Sequence, residues 1–204
     1  MNFVDPDGRR WVNKQKQIVC DANGPTVYAT PEEVELIKAM NSIRTGRQQL
    51  QKLVEAPFDV GVVINAHEKP RRYGKVTSKG IQYDENEGRY IAKGGSVIII
   101  YKQQAMARAE NQKISVNEAI AVNLGHEIEH ITSEGLLLSI KYRGDDSSEA
   151  MSMKEAKPNQ ISNMMILEFV NKLSRDKINE LQQLVNSMVQ NSSGIIPNIN
   201  LDKK

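Results

Sequence analysis

The chain has 204 residues, 39% of them hydrophobic, which is enough to bury the core of one globular domain. Its 27 basic and 25 acidic residues leave a net charge of +2, so nothing in the balance of charges favours nucleic acid or an anionic membrane as a partner. Cys20 is the only cysteine, which excludes an internal disulfide and a thiolate metal cluster. We interpret Cys20 as a small apolar residue on a strand beside Val19.

Residues 1–25 are predicted to form an entry segment with short strands at residues 11–12 and 17–20. Thr30-Pro31-Glu32-Glu33 then combines a capping threonine, a proline suited to the first helical turn and a glutamate that can close a capping box. Apolar residues recur at helical spacing from there to about Glu55, so one amphipathic helix is expected over this stretch.

Strands are expected at 58–66, 74–84, 89–92 and 96–101, because these stretches alternate in polarity or are rich in β-branched residues. They predict a small, mostly antiparallel sheet of three to five strands. The pattern after residue 101 is helical. Helices are expected at 103–110, 115–131, 133–141, 147–155, 159–174 and 176–190. The fold class is therefore α+β, with one domain over 26–190 and a flexible tail over 191–204.

The segment His126-Glu127-Ile128-Glu129-His130 carries the pattern H-E-x-x-H on a helix that Ser115 and Glu118 cap. Two histidines four residues apart lie about 40 degrees apart around a helix, so both rings can bind one Zn²⁺ at roughly 2.0–2.1 Å. Glu127 lies about 100 degrees from His126, where it can touch a water beside the metal. Glu129 is expected to be solvated or to support the site without ligating the metal.

A third ligand has to come from elsewhere in the chain, because catalytic zinc is usually held by three protein ligands. His67, the remaining histidine, is interpreted as a surface residue before Lys69-Pro70. Glu149 and Glu155 are the main candidates, with Glu149 preferred, and Asp145 and Asp146 are further alternatives.

Residues 115–152 resemble the gluzincins, zinc metallopeptidases in which a glutamate downstream of H-E-x-x-H is the third ligand. The likeness rests on the histidine motif and on Ser148-Glu149-Ala150-Met151-Ser152. It implies a zincin-like domain whose active-site helix carries the motif. It also implies that the strand before this helix, here Ser96–Tyr101, is a sheet edge that binds substrate as an added strand.

The expected activity is hydrolysis of a protein or peptide, with zinc on His126, His130 and a glutamate, and with Glu127 as general base and then acid. Tyr142 is a candidate donor to the oxyanion. The alternative is a non-catalytic interaction domain without a complete metal site. A metal-dependent hydrolase acting on another bond is a third possibility.

Asn2-Phe3-Val4-Asp5-Pro6-Asp7-Gly8-Arg9 resembles the motif that closes the core of Rhs-type polymorphic toxins, before their variable C-terminal domain. This resemblance implies a secreted or delivered effector with a cognate immunity protein as a partner. The first residues lack the basic start and apolar core of a secretion signal, so the protein is otherwise expected to be cytoplasmic. No stretch is apolar enough to predict a membrane span.

Overall fold

The computed structural model describes residues 10–66 and 72–193. The strands are β1 (Arg10–Val12), β2 (Ile18–Asp21), β3 (Gly24–Pro25), β4 (Asp59–Asn65), β5 (Gly74–Ser78), β6 (Ile81–Asp84), β7 (Arg89–Ala92) and β8 (Ser96–Tyr101). The helices are α1 (Pro31–Asn41), α2 (Arg44–Val54), α3 (Lys102–Gln112), α4 (Val116–Glu129), α5 (Ser133–Lys141) and α6 (Ser148–Ser193).

The main sheet is mixed and has six strands in the order β3-β2-β1-β4-β8-β5, while β6 and β7 form a separate hairpin. Strand β4 is parallel to both neighbours, β1 and β8, and the remaining pairs are antiparallel. The α+β class is confirmed, with a helical half after the sheet. The expected three to five strands are too few for this sheet, because residues 10–25 add β1–β3 to it, and three of its five strand pairs are antiparallel. The alternation of polar and apolar residues locates a strand but does not identify the strands with which it pairs.

Strand β8 lies inside the sheet, paired with β4 on one side and β5 on the other, so its prediction as the edge strand is wrong. Ile98 and Ile100 of this strand are buried, whereas Val97 on the other face is 42% exposed. Within the described residues the edge strand beside β8 is β5, which pairs only with β8. The β5 strand therefore leaves one row of backbone groups without a sheet partner.

The expected single helix over residues 30–55 is instead two helices that meet at Ser42 and Ile43. The capping box of Thr30 and Glu33 at the start of α1 is confirmed. The chain turns after Asn41, and Gly46 in α2 packs so tightly that a Cβ atom there would lie 2.2 Å from the carbonyl oxygen of Met40. This close approach needs glycine at position 46. Apolar residues keep their helical spacing across the turn, so periodicity alone does not reveal it.

Helix α4 lies at the centre of the core and packs against α1, α2, α3 and the strands β5 and β8. The apolar residues on the side roughly opposite the histidines are all buried: Ile120, Leu124, Ile128 and Ile131. The capping box of Ser115 and Glu118 begins the helix as predicted. A helix enclosed on so many sides holds its side chains in fixed positions, which a metal site requires.

Helix α6 runs without a break from Ser148 to Ser193, although Pro158 lies inside it. The predicted separation into helices at 147–155, 159–174 and 176–190 is therefore wrong. A proline removes one backbone hydrogen bond and crowds the preceding turn, but Pro158 is buried, and packing can offset this cost.

The chain divides into two compact units, Met1–Phe169 and Val170–Lys204. In the second unit the described part is helical, and Ile178, Leu181 and Leu184 are exposed along one side of it. None of the helices within residues 10–66 and 72–193 combines the length and the apolar character that a membrane crossing needs.

Cys20 lies on β2 and is fully buried, which confirms its interpretation as a core residue. Burial, with a smaller contribution from the charge of Asp21, raises the pKa of the thiol to about 12. We therefore expect iodoacetamide at pH 8 to leave the native protein unmodified and to alkylate Cys20 after unfolding in guanidinium. Mass spectrometry measures both, and rapid alkylation of the native chain would contradict the described burial.

Candidate metal centre

The two histidines lie at the C-terminal end of α4. His126 is in its last turn, and His130 caps the helix with φ −70° and ψ −18°, which is still a helical conformation. The two residues therefore keep the spacing of one helical turn, and their ring centroids are 5.3 Å apart. The geometry that the motif predicts for this pair is present.

Glu155 of α6 brings a carboxylate to both rings. Its Oε2 lies 3.0 Å from Nε2 of His126, and its Oε1 lies 3.6 Å from Nε2 of His130. One donor atom from each of the three residues can be chosen so that all three lie within 4.8 Å of one another. Donors of a tetrahedral zinc site lie about 3.3 Å apart when the metal–ligand distances are roughly 2.0–2.1 Å. The three side chains therefore fit a metal ion with little rearrangement.

Of the two glutamates proposed as third ligand, the structure brings Glu155 and not Glu149 to the histidines. Glu149 is exposed in the first turn of α6. Six residues of helix separate the two glutamates, which places them about 240 degrees apart around the axis and about 9 Å apart along it. The resemblance that supported Glu149 rested on the segment Ser148-Glu149-Ala150-Met151-Ser152. Asp145 and Asp146 are also exposed, and Asp145 accepts a hydrogen bond from the backbone of Ser147.

A signal for Glu155 is present in the sequence. It begins a stripe in which residues recur at intervals of three and four: Glu155, Pro158, Ser162, Met165 and Phe169. The last four are buried. This spacing indicates one helix with one buried face, and a glutamate on such a face is a stronger ligand candidate than an exposed one. Pro158 obscured the stripe because proline is usually read as a helix end.

Ser162 supports the site through the other ring nitrogen of His126. Its Oγ lies 3.3 Å from Nδ1 of His126, while Nε2 of the same ring faces Glu155. A metal-binding histidine usually donates its second N–H to a neighbouring acceptor, which orients the ring and selects the tautomer. Ser162 is suited to accept from Nδ1–H, and it was not identified from the sequence.

The charges of the three residues depend on one another. Burial opposes ionisation of Glu155, yet hydrogen bonds from His126 and His130 outweigh it and lower the pKa of the carboxyl well below its usual range. Burial likewise opposes protonation of His130, but the hydrogen bond and charge of Glu155 raise its pKa overall. Glu155 is thus held as a carboxylate between the rings, in the form that a metal needs.

Glu127 extends from α4 towards β5 and is 5% exposed. A Cβ atom on Gly74, the first residue of β5, would lie 2.6 Å from its Oε1, so glycine makes room for the carboxylate. Burial raises the pKa of Glu127, and the positive charges of His126 and His130 partly oppose this. The protonated form of this carboxyl is therefore favoured more than in a free glutamate.

Tyr73 and Arg108, which the sequence did not single out, lie on the β5 side of Glu127. Tyr73 precedes Gly74, and the guanidinium carbon of Arg108 on α3 lies 3.9 Å from the centroid of the tyrosine ring. Burial lowers the pKa of Arg108, while Tyr73 and the charge of Glu127 oppose the shift. Tyr142, the predicted oxyanion donor, ends α5. Nζ of Lys141 lies 5.1 Å from the centroid of its ring.

Glu129 is buried, with a side chain only 1% exposed, so the first of its two predicted roles, a solvated residue, is wrong, and the second, support of the site without ligating the metal, stays a prediction. It accepts hydrogen bonds from Gln49 and Lys52 of α2. Neither contact was identified from the sequence. His67 falls in residues 67–71, outside the described part of the chain.

Comparison of the chain with protein-family models, curated proteins and solved structures found no significant match.

The choice between the two glutamates leads to a direct prediction. We expect Glu155→Gln to weaken zinc binding by at least about a hundredfold, since changes to partners of a ligand already cost about 10–100-fold. Glu149→Gln should bind zinc as the wild type does. Competition with a chromophoric chelator measures both affinities. Equal weakening by the two substitutions would contradict the assignment of Glu155.

Ser162→Ala tests the support of His126. We expect zinc affinity to fall by about 10–100-fold because Nδ1 of His126 loses its acceptor. Ser174→Ala is the matched control, since the hydroxyl of Ser174 bonds the carbonyl of Val170 on an exposed part of α6. An unchanged affinity in Ser162→Ala, measured by the same competition, would mean that the ring is held by other contacts.

Proposed function

We propose that this protein is a zinc-dependent metallopeptidase of the zincin type. The observation that carries the proposal is the convergence of His126, His130 and Glu155 within 4.8 Å, with Glu127 on the same helix as the histidines. Two imidazoles and one carboxylate match the donors of catalytic zinc in metallopeptidases with a glutamate ligand. The same donors also suit other divalent metals, so the identity of the bound metal is part of the test.

When bound, zinc would acidify a water molecule and polarise the carbonyl of the bond to be cleaved. The protein's own residues perform the proton transfers. Glu127 takes a proton from the attacking water and returns it to the leaving amine. Tyr73 and Arg108 offer hydrogen-bond donors on the same side of the site, where negative charge develops on the carbonyl oxygen.

The edge strand β5 supports a peptide as the substrate. The backbone N–H of Tyr101 donates to the carbonyl of Tyr73, and that of Lys79 donates to the carbonyl of Gly95. In an antiparallel pair the bonded positions alternate, so Gly74, Val76 and Ser78 direct their N–H and C=O groups away from β8. An extended peptide can pair with this row as an added strand, and Gly74 lies against the carboxylate of Glu127.

The alternative is a non-catalytic interaction domain, and the pairing of Glu155 with both histidines favours it, because the cluster satisfies its own charges without a metal. Zinc loading separates the two possibilities. Stoichiometric zinc that is lost in His126→Ala supports the metallopeptidase, and a protein that resists loading supports the interaction domain. Bound zinc without peptide cleavage would favour a hydrolase of another bond.

A role as an effector or toxin module, delivered outside the producing cell and countered by an immunity protein, remains part of the proposal. It rests on the resemblance of Asn2–Arg9 to the end of an Rhs core. Those residues lie outside the described part of the chain. Toxicity on expression in a cell that lacks the immunity protein would support this role, provided that Glu127→Gln abolishes the toxicity.

Glu127→Gln tests the proposed chemistry. The amide keeps the shape of the side chain but cannot take a proton, so we expect hydrolysis to fall by about 10²–10⁴-fold. Zinc content should remain that of the wild type. Cleavage of a varied set of internally quenched fluorescent peptides measures activity, and Glu110→Gln on the exposed side of α3 is the control. Full activity in Glu127→Gln would show the mechanism to be wrong.

A further inference from the structure

The buried carboxylate of Glu129 is the centre of a second polar cluster, beside the metal centre. Glu129 occupies the variable position immediately before His130. Gln49 donates to its Oε1 from 2.7 Å, Lys52 also donates to Oε1, and Nζ of Lys157 lies 3.7 Å from Oε2. Three elements thus meet at one carboxylate: α4, α2 and the beginning of α6.

Stability alone does not account for this cluster. A buried ion pair loses much of its attraction to the cost of removing both charges from water, and apolar residues of similar size often serve the fold as well. The positions of its members suggest another role. Glu129 is the neighbour of the second histidine, and Lys157 is two residues after Glu155. The Lys157–Glu129 contact therefore connects the segments that present two of the three candidate ligands.

Lys157 also contacts α5. Its Nζ lies 2.9 Å from Oε2 of Glu134, in the first turn of that helix. One lysine on α6 thus reaches the last turn of α4 and the first turn of α5. Two carboxylate contacts in different directions restrict both the rotation of α6 about its axis and its distance from α4.

The beginning of α6 needs such a restraint, because apolar packing holds it at few points. Up to Phe169, the buried residues after Pro158 are Ser162, Met165 and Phe169, whereas before Pro158 only Ala150 is buried. Proline also removes the helical hydrogen bond to the carbonyl of Lys154. Glu155 lies on the weakly anchored side of this interruption, so packing further along the helix does not by itself determine its position.

We propose that Lys157 is a positioning residue of the metal centre, which holds the start of α6 so that Glu155 faces His126 and His130 before a metal arrives. This inference rests on the proposed metal centre. The change in metal affinity that it predicts on loss of the lysine is opposite in sign to the change that simple electrostatics predicts. Removing a positive charge near a cation site strengthens metal binding by Coulomb's law, whereas losing a positioning contact weakens it.

Lys157→Met is the test, because it keeps an unbranched apolar chain and removes the charge. We expect the zinc affinity, measured by chelator competition on the full chain, to fall by about 10–100-fold, as for other residues that orient ligands. Lys157→Arg, which can reach the same carboxylates, should recover most of the affinity. An affinity equal to or tighter than that of the wild type in Lys157→Met would overturn the proposal.

Lys154→Met is the matched control. Lys154 adjoins Glu155 and donates to the carbonyl of Asp145, so its removal changes the local charge without touching Glu129. We expect unchanged or slightly tighter zinc binding. Weakening equal to that in Lys157→Met would assign the effect to charge or general damage and would overturn the proposal. Should Lys157→Met fail to fold in a urea titration, Glu134→Gln at the exposed partner replaces it, with a severalfold loss expected.

A metal-free measurement separates this inference from the proposed function. Nitrogen-15 spectra of the imidazole rings at fixed pH report the contacts of His126 and His130 with Glu155. We expect Lys157→Met to change them and Lys154→Met to leave them as they are. If the wild type binds no zinc but the rings respond in this way, the proposed function fails and the positioning role stands. If the rings do not respond to Lys157→Met, the positioning role fails.

Discussion

The packing of α6 against α4 places the carboxylate of Glu155 beside the imidazoles of His126 and His130, and the candidate site depends on this packing. Gly125, directly before His126, allows the close approach, since a Cβ atom there would lie 2.4 Å from Sδ of Met165. Met165 is fully buried and shares its stripe on α6 with Glu155. The packing that places Met165 over Gly125 therefore turns this face of α6 towards α4, and Glu155 begins the same face on the other side of Pro158.

Around this contact the protein places polar groups where water is largely excluded. Glu127 and Glu129 lie on α4 and are both buried, but they have different surroundings. Glu127 faces the edge strand and has room beside Gly74, whereas Glu129 is enclosed by Gln49 and lysines. Two glutamates separated by one residue thus serve different purposes. One is available to react with a ligand, and the other is committed to contacts within the protein.

The sequence predicted those parts of the structure that local chemistry determines. The capping boxes at Thr30 and Ser115 each satisfy backbone donors with neighbouring side chains, so both helix starts were correct. The pairing of His126 with His130 follows from helical geometry and was also correct. The α+β class followed from the order of patterns along the chain.

Features that depend on distant residues were not predictable in the same way. The turn at Ser42 and Ile43 is set by the packing of Gly46 against Met40, and the pairing of β8 on both edges is set by strands far away in sequence. Glu155 was ranked below Glu149, and the sequence did not show that α6 continues through Pro158 and packs Glu155 beside the histidines. The contacts of Glu129 were missed because their partners lie on α2 and α6.

The parallel pairing of β4 has a consequence for the order in which the molecule assembles. Val60 pairs with Trp11 on one side and with Ser96 on the other, so the central strand bonds to partners roughly 50 and 36 positions away. Pairings of this kind form slowly, because long loops must close before any contact compensates for the lost entropy. On the ribosome β4 emerges well before β8, and its second edge then lacks a partner. The helices that carry the candidate ligands are synthesised later still.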